Sequence, residues 1–331
     1  MSGMAARLQD IWYGGREPGL ALRALAALYG AVVGLRRAAY RRGWLRAQRV
    51  GAPVIVVGNR VAGGSGKTPL VIALVEHLAA QGWNPGVVSR GYGRTSRGPV
   101  EVDAHTSAAQ GGDEPVLIAR RTDVPVVVDA DRVAAARGVI ERGADVVVAD
   151  DGLQHLRLHG DIRIEVIDAE RGHGNGRLLP AGPLREPERA DIDLRVFHRA
   201  ALDVNDPTPA FALIGDTLCA GDGRSEKLAA WRGRRVHAVA GIGHPARFFQ
   251  SLRAAGIEVV EHAFTDHHAF VAEDLLFTER LPTLMTEKDW MKCAAIAPAD
   301  AWYLPVTARC TPSLLAGLDG LLARLPGRAH G

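Results

Sequence analysis

Two short runs in this chain have the residue types and spacing to handle a nucleotide. In the first, Val54-Ile55-Val56-Val57-Gly58-Asn59 leads into Gly63-Gly64-Ser65-Gly66-Lys67-Thr68, and an amphipathic stretch follows. A strand, a glycine-rich turn and a helix in that order make a phosphate-binding loop. The glycines let backbone N–H groups close around phosphate oxygens, and the helix adds its positive end. Lys67 suits the β/γ-phosphates of ATP, and the Thr68 hydroxyl suits Mg²⁺. The strict pattern has a glycine five positions before Gly66, where this chain has Val61. In the second run, Asp145-Val146-Val147-Val148-Ala149 ends in Asp150-Asp151-Gly152-Leu153-Gln154-His155. Asp-Asp-Gly alone is an ordinary turn signature. Beside a triphosphate, two adjacent carboxylates repel it unless a cation lies between, so Asp150 and Asp151 join Thr68 as candidate Mg²⁺ ligands.

Other motifs have bland readings of comparable weight. In Gly112-Asp113-Glu114-Pro115, Asp113 could simply cap a helix whose first turn holds the proline. Ser89-Arg90-Gly91-Tyr92-Gly93-Arg94 offers cations after a strand, or a solvated turn. Leu178-Leu179-Pro180-Ala181-Gly182-Pro183-Leu184-Arg185-Glu186-Pro187 is too apolar for an idle loop and should pack over something. The histidines of Thr265-Asp266-His267-His268 could move a proton, bind a metal, or be structural. Thr286-Glu287-Lys288-Asp289 reads as a charged loop after a strand.

The elements that must position these groups alternate. Strands are predicted at Val54–Val57, Gly86–Ser89, Pro125–Asp129, Asp145–Ala149 and Ile162–Ile167, with helices at Pro69–Ala80 and Arg132–Arg142. Continuous apolar strands between helices imply an α/β fold with a mostly parallel sheet covered on both faces, binding ligands at its carboxyl edge. Arg171–Arg189 reads as a loop. A second, smaller α/β unit follows, with strands at Val236–Ala240, Ile257–Glu261, Pro282–Met285 and Trp302–Val306 and a helix at Pro245–Ala255. The expected organisation is an N-terminal segment (1–50), a nucleotide-binding domain (51–195) and a domain closing over the site (196–331).

Composition fits a folded protein, with 47% hydrophobic and 23% charged residues. A net charge of +3 does not indicate a nucleic-acid binder. Cys219, Cys293 and Cys310 are too scattered for a metal pair or a disulfide framework and are read as small core residues in a reducing compartment. Leu20 to Leu35 is apolar apart from Arg23, but its 16 residues fall short of a bilayer span. Arg36, Arg37, Arg41, Arg42, Arg46 and Arg49 follow with no acid among them. An apolar helix leading into arginines suits the surface of an anionic leaflet; the competing reading is a helix packed on the protein's own core.

Taken in order, the motifs resemble the tetraacyldisaccharide 4′-kinase family, the lipid A 4′-kinases of Gram-negative bacteria. The match runs from about residue 50 to 293 through the phosphate loop, Ser89–Gly93, Gly112–Pro115, Asp150–His155, Leu178–Pro187, Asp266–His268 and Thr286–Asp289. Leu153 stands where the family usually has Phe, and Arg60 where it usually has Leu. The resemblance implies transfer of the ATP γ-phosphoryl group to the 4′-hydroxyl of a tetraacylated glucosamine disaccharide 1-phosphate. It implies work at the cytoplasmic face of the inner membrane, beside anionic lipids, and a monomer is expected. It also implies a proton-taking dyad, Asp113 with His267, acting alongside Lys67. Substrate contacts are expected from Arg90, Tyr92, His155, Arg185 and Glu186. The alternative is a P-loop ATPase or GTPase that switches a protein partner at the membrane, which would need no base in a second α/β unit.

Overall fold

The computed structural model describes residues 3–203 and 205–325. The outer ends of the expected 1–50 and 196–331 segments, residues 1–2 and 326–331, and Val204 lie outside the described residues.

Two helices, α1 (Gly3–Tyr13) and α2 (Leu20–Arg41), precede the sheet-forming chain. Then come β1 (Val54–Gly58), α3 (Lys67–Ala80), β2 (Pro85–Ser89), β3 (Val100–Val102), α4 (Ala108–Gly111), α5 (Asp113–Arg121) and β4 (Val126–Val128). They are followed by α6 (Arg132–Ile140), β5 (Val146–Asp150), β6 (Ile162–Asp168), β7 (Leu194–Arg199) and β8 (Ala210–Ile214). A second unit contains β9 (Thr217–Ala220), β10 (Ser225–Lys227), β11 (Arg235–Ala240), α7 (Pro245–Ala254), β12 (Glu258–Ala263), β13 (Thr283–Thr286), α8 (Glu287–Cys293) and β14 (Ala301–Leu304). The chain then returns through β15 (Thr307–Cys310) and α9 (Pro312–Leu322).

Among the described residues the large sheet has the order β15-β8-β7-β6-β1-β5-β2-β4-β3, with only its two outer pairs antiparallel. β1 lies between β5 and β6, in parallel register with each. The alternation of β1 explains the layering. Ile55 and Val57 face Leu70, Leu74 and Leu78 of α3, Val116 of α5 and Leu314 and Leu318 of α9. Val54 and Val56 face Val133, Ala136 and Val139 of α6. Helices on both faces leave the carboxyl edge open, and the loops after β1, β2, β5, β6 and β7 meet there.

The smaller sheet runs β10-β9-β14-β13-β11-β12 over a core built on Trp231, Phe249, Leu252 and Trp302. The boundary differs from the expectation of 195/196. β7, β8, β15 and α9 belong to the large sheet and its core, so the second unit is an insertion between β8 and β15. The long loop at 171–189 looks like a domain junction in sequence, yet β6 and β7 pair across it. Of the three cysteines, Cys293 is fully buried while Cys219 and Cys310 are half-buried.

Candidate active site

The phosphate loop takes its shape from Gly66, which caps α3 at φ +77°, a left-handed conformation that favours glycine. Pro69 sits in the first turn of α3, where its missing N–H has no role. Lys67 Nζ lies 3.1 Å from Asn59 Oδ1 and 3.4 Å from Asp151 Oδ1, so the lysine is held between the ends of β1 and β5. Asp150 is fully buried at the end of β5, with Ser89 Oγ 3.5 Å from its Oδ2. Burial, Glu114 and Asp151 raise the Asp150 carboxyl above its ordinary range. Burial also acts against the charge on Asp151, but Lys67 and Arg185 outweigh it and bring the group to about 2.

Ser65 Oγ and Asp150 Oδ1 are buried without a hydrogen-bond partner, and Asp151 Oδ1 is buried with the Lys67 ammonium 3.4 Å away. Orphaned oxygens facing one corner are what a phosphate and a hard divalent cation would satisfy, so the residues fit Mg²⁺-nucleotide. Among the described residues no group of three His, Cys, Asp or Glu side chains forms a ready cage. Mg²⁺ characteristically binds through one or two carboxylates plus phosphate oxygens and water, and Thr68 with Asp150 and Asp151 suits that mode.

Across the cleft, the structure brings Asp113 and His267 together although 154 positions separate them. Asp113 opens α5 on the first unit, and His267 lies in the loop after β12 on the second. His267 Nδ1 is 3.0 Å from Asp113 Oδ2. His267 holds φ +58° and Asp151 φ +48°, left-handed conformations that non-glycine residues rarely adopt and that cluster at functional sites. The Asp113 hydrogen bond raises the His267 pKa, more than burial and Lys288 lower it. For Asp113, burial acts upward, but His267, Lys288 and Lys292 prevail and hold the carboxyl at about 2. Lys288 Nζ lies 3.5 Å from Asp113, 3.1 Å from Glu114 and 3.5 Å from Asp266, tying the two sides of the dyad. The exposed Tyr92 ring sits 4.8 Å from the His267 ring.

The remaining expected residues divide. Arg185 Nη1 is 2.9 Å from Asp151 Oδ2, on the carboxylate that also pairs with Lys67. Glu186 does not face the cleft: it is 2% exposed, and its oxygens are taken by Gln154 at 2.8 Å and Arg189 at 3.1 Å. Its place among substrate contacts is therefore corrected to that of a buried anchor for the strap at 171–189, the long loop between β6 and β7. His155 follows Gln154 near α2; burial, Arg132 and Arg36 lower its pKa to about 4, so its ring is neutral. Arg90 is exposed directly after β2.

The sequence model of the tetraacyldisaccharide-1-P 4′-kinase family, LpxK, matches residues 19–323. The chain belongs to this family. A tetraacyldisaccharide 4′-kinase of Stenotrophomonas maltophilia is 52% identical over 320 residues, covering 93% of this chain and 94% of the relative. One from Xanthomonas euvesicatoria pv. vesicatoria is 50% identical over 342 residues, 99% of each. The crystal structure of an "apo" form of LpxK from Aquifex aeolicus in complex with ATP superposes with a TM-score of 0.74. It is 30% identical and covers 92% of this chain and 98% of its own.

In this 4′-kinase fold, sequence reasoning missed Asn59, Ser89 and Lys288 as parts of the site. Asn59 follows a strand directly and Ser89 ends one, a position that marks an active edge in parallel sheets. Lys288 lay within a noticed motif, but nothing local points it at Asp113.

Proposed function

We propose that the chain transfers the γ-phosphoryl group of ATP to the 4′-hydroxyl of tetraacyldisaccharide 1-phosphate, with His267 as general base. The observation that carries this reading is the Asp113–His267 hydrogen bond, made between two units beside a lysine-bearing phosphate loop. A nucleotide switch has no use for such a base.

His267 Nδ1–H donates to Asp113, which leaves Nε2 free to accept the hydroxyl proton as the sugar oxygen bonds to phosphorus. The bond from phosphorus to the ADP oxygen breaks, and the proton remains on the imidazolium, stabilised by Asp113. Lys67 meets charge on the transferring group. Thr68, Asp150 and Asp151 would hold Mg²⁺, whose positive charge would offset that of the nucleotide's phosphates. Arg185, charged and 2.9 Å from Asp151, is placed to engage an anionic oxygen when substrate enters. Closure of the second unit excludes water, which would otherwise hydrolyse ATP.

The acceptor is a lipid, and α2 suits its delivery. Leu25, Leu28, Val32 and Leu35 form an exposed apolar stripe at helical spacing, followed by exposed Arg36, Arg41 and Arg42, with Arg37 half-buried among them. No described helix is long and apolar enough to cross a membrane. Such a stripe lies in the interface with arginines on anionic headgroups, and the cytoplasmic face of the inner membrane is its proposed location.

The test is incubation of purified protein with γ-labelled ATP, Mg²⁺ and the disaccharide lipid in detergent. Label appearing at the 4′-position is expected. Release of free phosphate with no labelled lipid overturns the reading.

A further inference from the structure

The seam between the two units runs against the phosphate loop itself. The turn after β11, Gly241-Ile242-Gly243, approaches the loop backbone to backbone: a Cβ on Gly243 would stand 2.1 Å from the Gly64 nitrogen. From the first turn of α7, Arg247 then reaches into the first unit. Its Nη2 is 2.9 Å from Asp168 Oδ2 at the end of β6 and 3.3 Å from Glu170 Oε2. Its Nη1 is 2.8 Å from His198 Nδ1 on β7, against 3.5 Å to Nε2.

His198 is 2% exposed and stacked on Phe211 at 4.7 Å. It lies beside Gly66, where an added Cβ would meet His198 Nδ1 at 2.8 Å. The same Nδ1 is 3.1 Å from the Ser65 carbonyl oxygen.

These two contacts make opposite demands on one atom. A guanidinium only donates, so Nδ1 must offer it a lone pair; a carbonyl only accepts, so Nδ1 must offer it a proton. Burial and the Arg247 guanidinium lower the His198 pKa to about 4, so at neutral pH the ring has a single proton to place. The arginine contact is the shorter and is charge-assisted, so it prevails here and the proton resides on Nε2. The Ser65 carbonyl and the Gly66 N–H belong to one trans peptide and point in opposite directions. Holding that carbonyl toward β7 turns the Gly66 N–H toward the phosphate cradle.

We propose that His198 is a positioning residue for the phosphate loop and that Arg247, carried by the second unit, competes with the Ser65 carbonyl for its Nδ1. Docking of the second unit and anchoring of the loop thus exchange one hydrogen-bonding site. With Arg247 docked, the loop peptide is released as the unit bearing His267 is seated. With Arg247 withdrawn, Nδ1–H anchors the loop in its nucleotide-gripping form. The kinetic consequence rests on the kinase reading; the tautomer does not.

Protein labelled with ¹⁵N-histidine reads the tautomer directly, and His198→Phe, which keeps the stack on Phe211, assigns the signal by its loss. The expected result is an Nε2–H tautomer in the unmutated chain and an Nδ1–H tautomer in Arg247→Ala. In the labelled-lipid assay, Arg247→Ala should lower kcat about tenfold without raising the KM for ATP, because the loop stays anchored while the second unit is untethered. His198→Phe should raise the KM for ATP about fivefold with a smaller effect on kcat. An Nδ1–H tautomer in the unmutated chain, an unchanged tautomer in Arg247→Ala, or both variants moving the same kinetic parameter overturns the proposal. Thermal unfolding identifies a variant that fails to fold; Arg247→Met, which keeps an unbranched stem and has no proton to offer Nδ1, then takes its place with the same expected tautomer change. Should the unmutated chain label no lipid, the kinase reading fails while the spectra still decide the competition.

Discussion

Asp113→Asn is the substitution that most directly tests the base. It keeps the shape of the side chain and a hydrogen-bonding oxygen but removes the charge 3.0 Å from His267 Nδ1. As His267 becomes an imidazolium in the transition state, it loses an attraction of roughly 4 kcal/mol, the size of a close ion pair at an effective dielectric near 20. Both side chains are largely shielded, His267 at 22% and Asp113 at 7% exposure, so bulk-water screening does not apply in full. Part of the loss is recovered because the amide oxygen still accepts from Nδ1–H, leaving about 3 kcal/mol and a ~10²-fold lower kcat. The pH dependence makes the test specific. The base must be neutral to act, so kcat rises with pH through the His267 pKa, which Asp113 raises above 6.5. Removing the carboxylate while Lys288 remains nearby should move that acid limb to lower pH even as the plateau falls. The pH profile of labelled-lipid formation at saturating ATP reads both effects, and ATP affinity should stay within about twofold. A plateau near wild type, or a lower plateau with an unmoved limb, refutes the dyad.

Lys67→Ala should lower phosphoryl transfer by at least ~10³-fold, since no other described cation lies between Asn59 and Asp151; a single-turnover assay with labelled ATP checks it. Gly66→Ala adds a left-handed alanine and a Cβ 2.8 Å from His198, so it should cost about 2 kcal/mol of stability or more, measured by urea unfolding. Replacing Leu28 and Val32 by Glu on the exposed face of α2 should reduce sedimentation with anionic vesicles about tenfold or more while circular dichroism stays unchanged. The dyad also contributes to stability within a window. The Asp113 contribution is complete above its unfolded value near 4 and is lost as pH falls toward about 2. The His267 contribution is complete below pH 6.5 and is lost as pH rises through its higher folded value. The wild-type excess over Asp113→Asn in urea unfolding should therefore be greatest at about pH 4–6.

What sequence revealed of this site follows from distance along the chain. The phosphate loop and the Asp150-Asp151 pair each consist of one strand and the turn it enters, so periodicity and residue type suffice to find them. The dyad is made by a helix start and a loop 154 positions away, and only the family resemblance pairs them. Glu186 was misplaced for a physical reason. A charged residue in a glycine- and proline-rich loop is expected to face water, yet this strap folds inward and closes Glu186 against Arg189 and Gln154. Arg60 behaves likewise, buried in an ion pair with Glu165. The domain boundary was misjudged because β7, Leu-Arg-Val-Phe-His-Arg, alternates instead of running apolar. Its place beside β6 depends on pairing across the loop.

The same strap joins the proposed membrane face to the chemistry. Tyr29 of α2 donates through its hydroxyl to the Arg185 carbonyl at 2.7 Å, and Trp12 of α1 donates to the Pro180 carbonyl at 3.0 Å. A Cβ on Gly30 would stand 2.8 Å from the end of the Leu178 side chain, so α2 packs directly on the strap and a larger residue there would have to displace that side chain. Arg185 in turn pairs with Asp151, which pairs with Lys67. The helix of the proposed membrane face is thus connected to Lys67 through three residues, Tyr29, Arg185 and Asp151. For a lipid acceptor this arrangement has a clear advantage: the headgroup hydroxyl stands at a fixed depth above the acyl chains, so fixing the depth of α2 also fixes the height of the phosphate loop. A soluble sugar would need no such constraint. Tyr29→Phe removes the Arg185 link while leaving the apolar stripe intact, so it should lower turnover on vesicle-embedded substrate more than turnover on the same lipid in detergent. Equal loss in both would separate membrane docking from catalytic geometry.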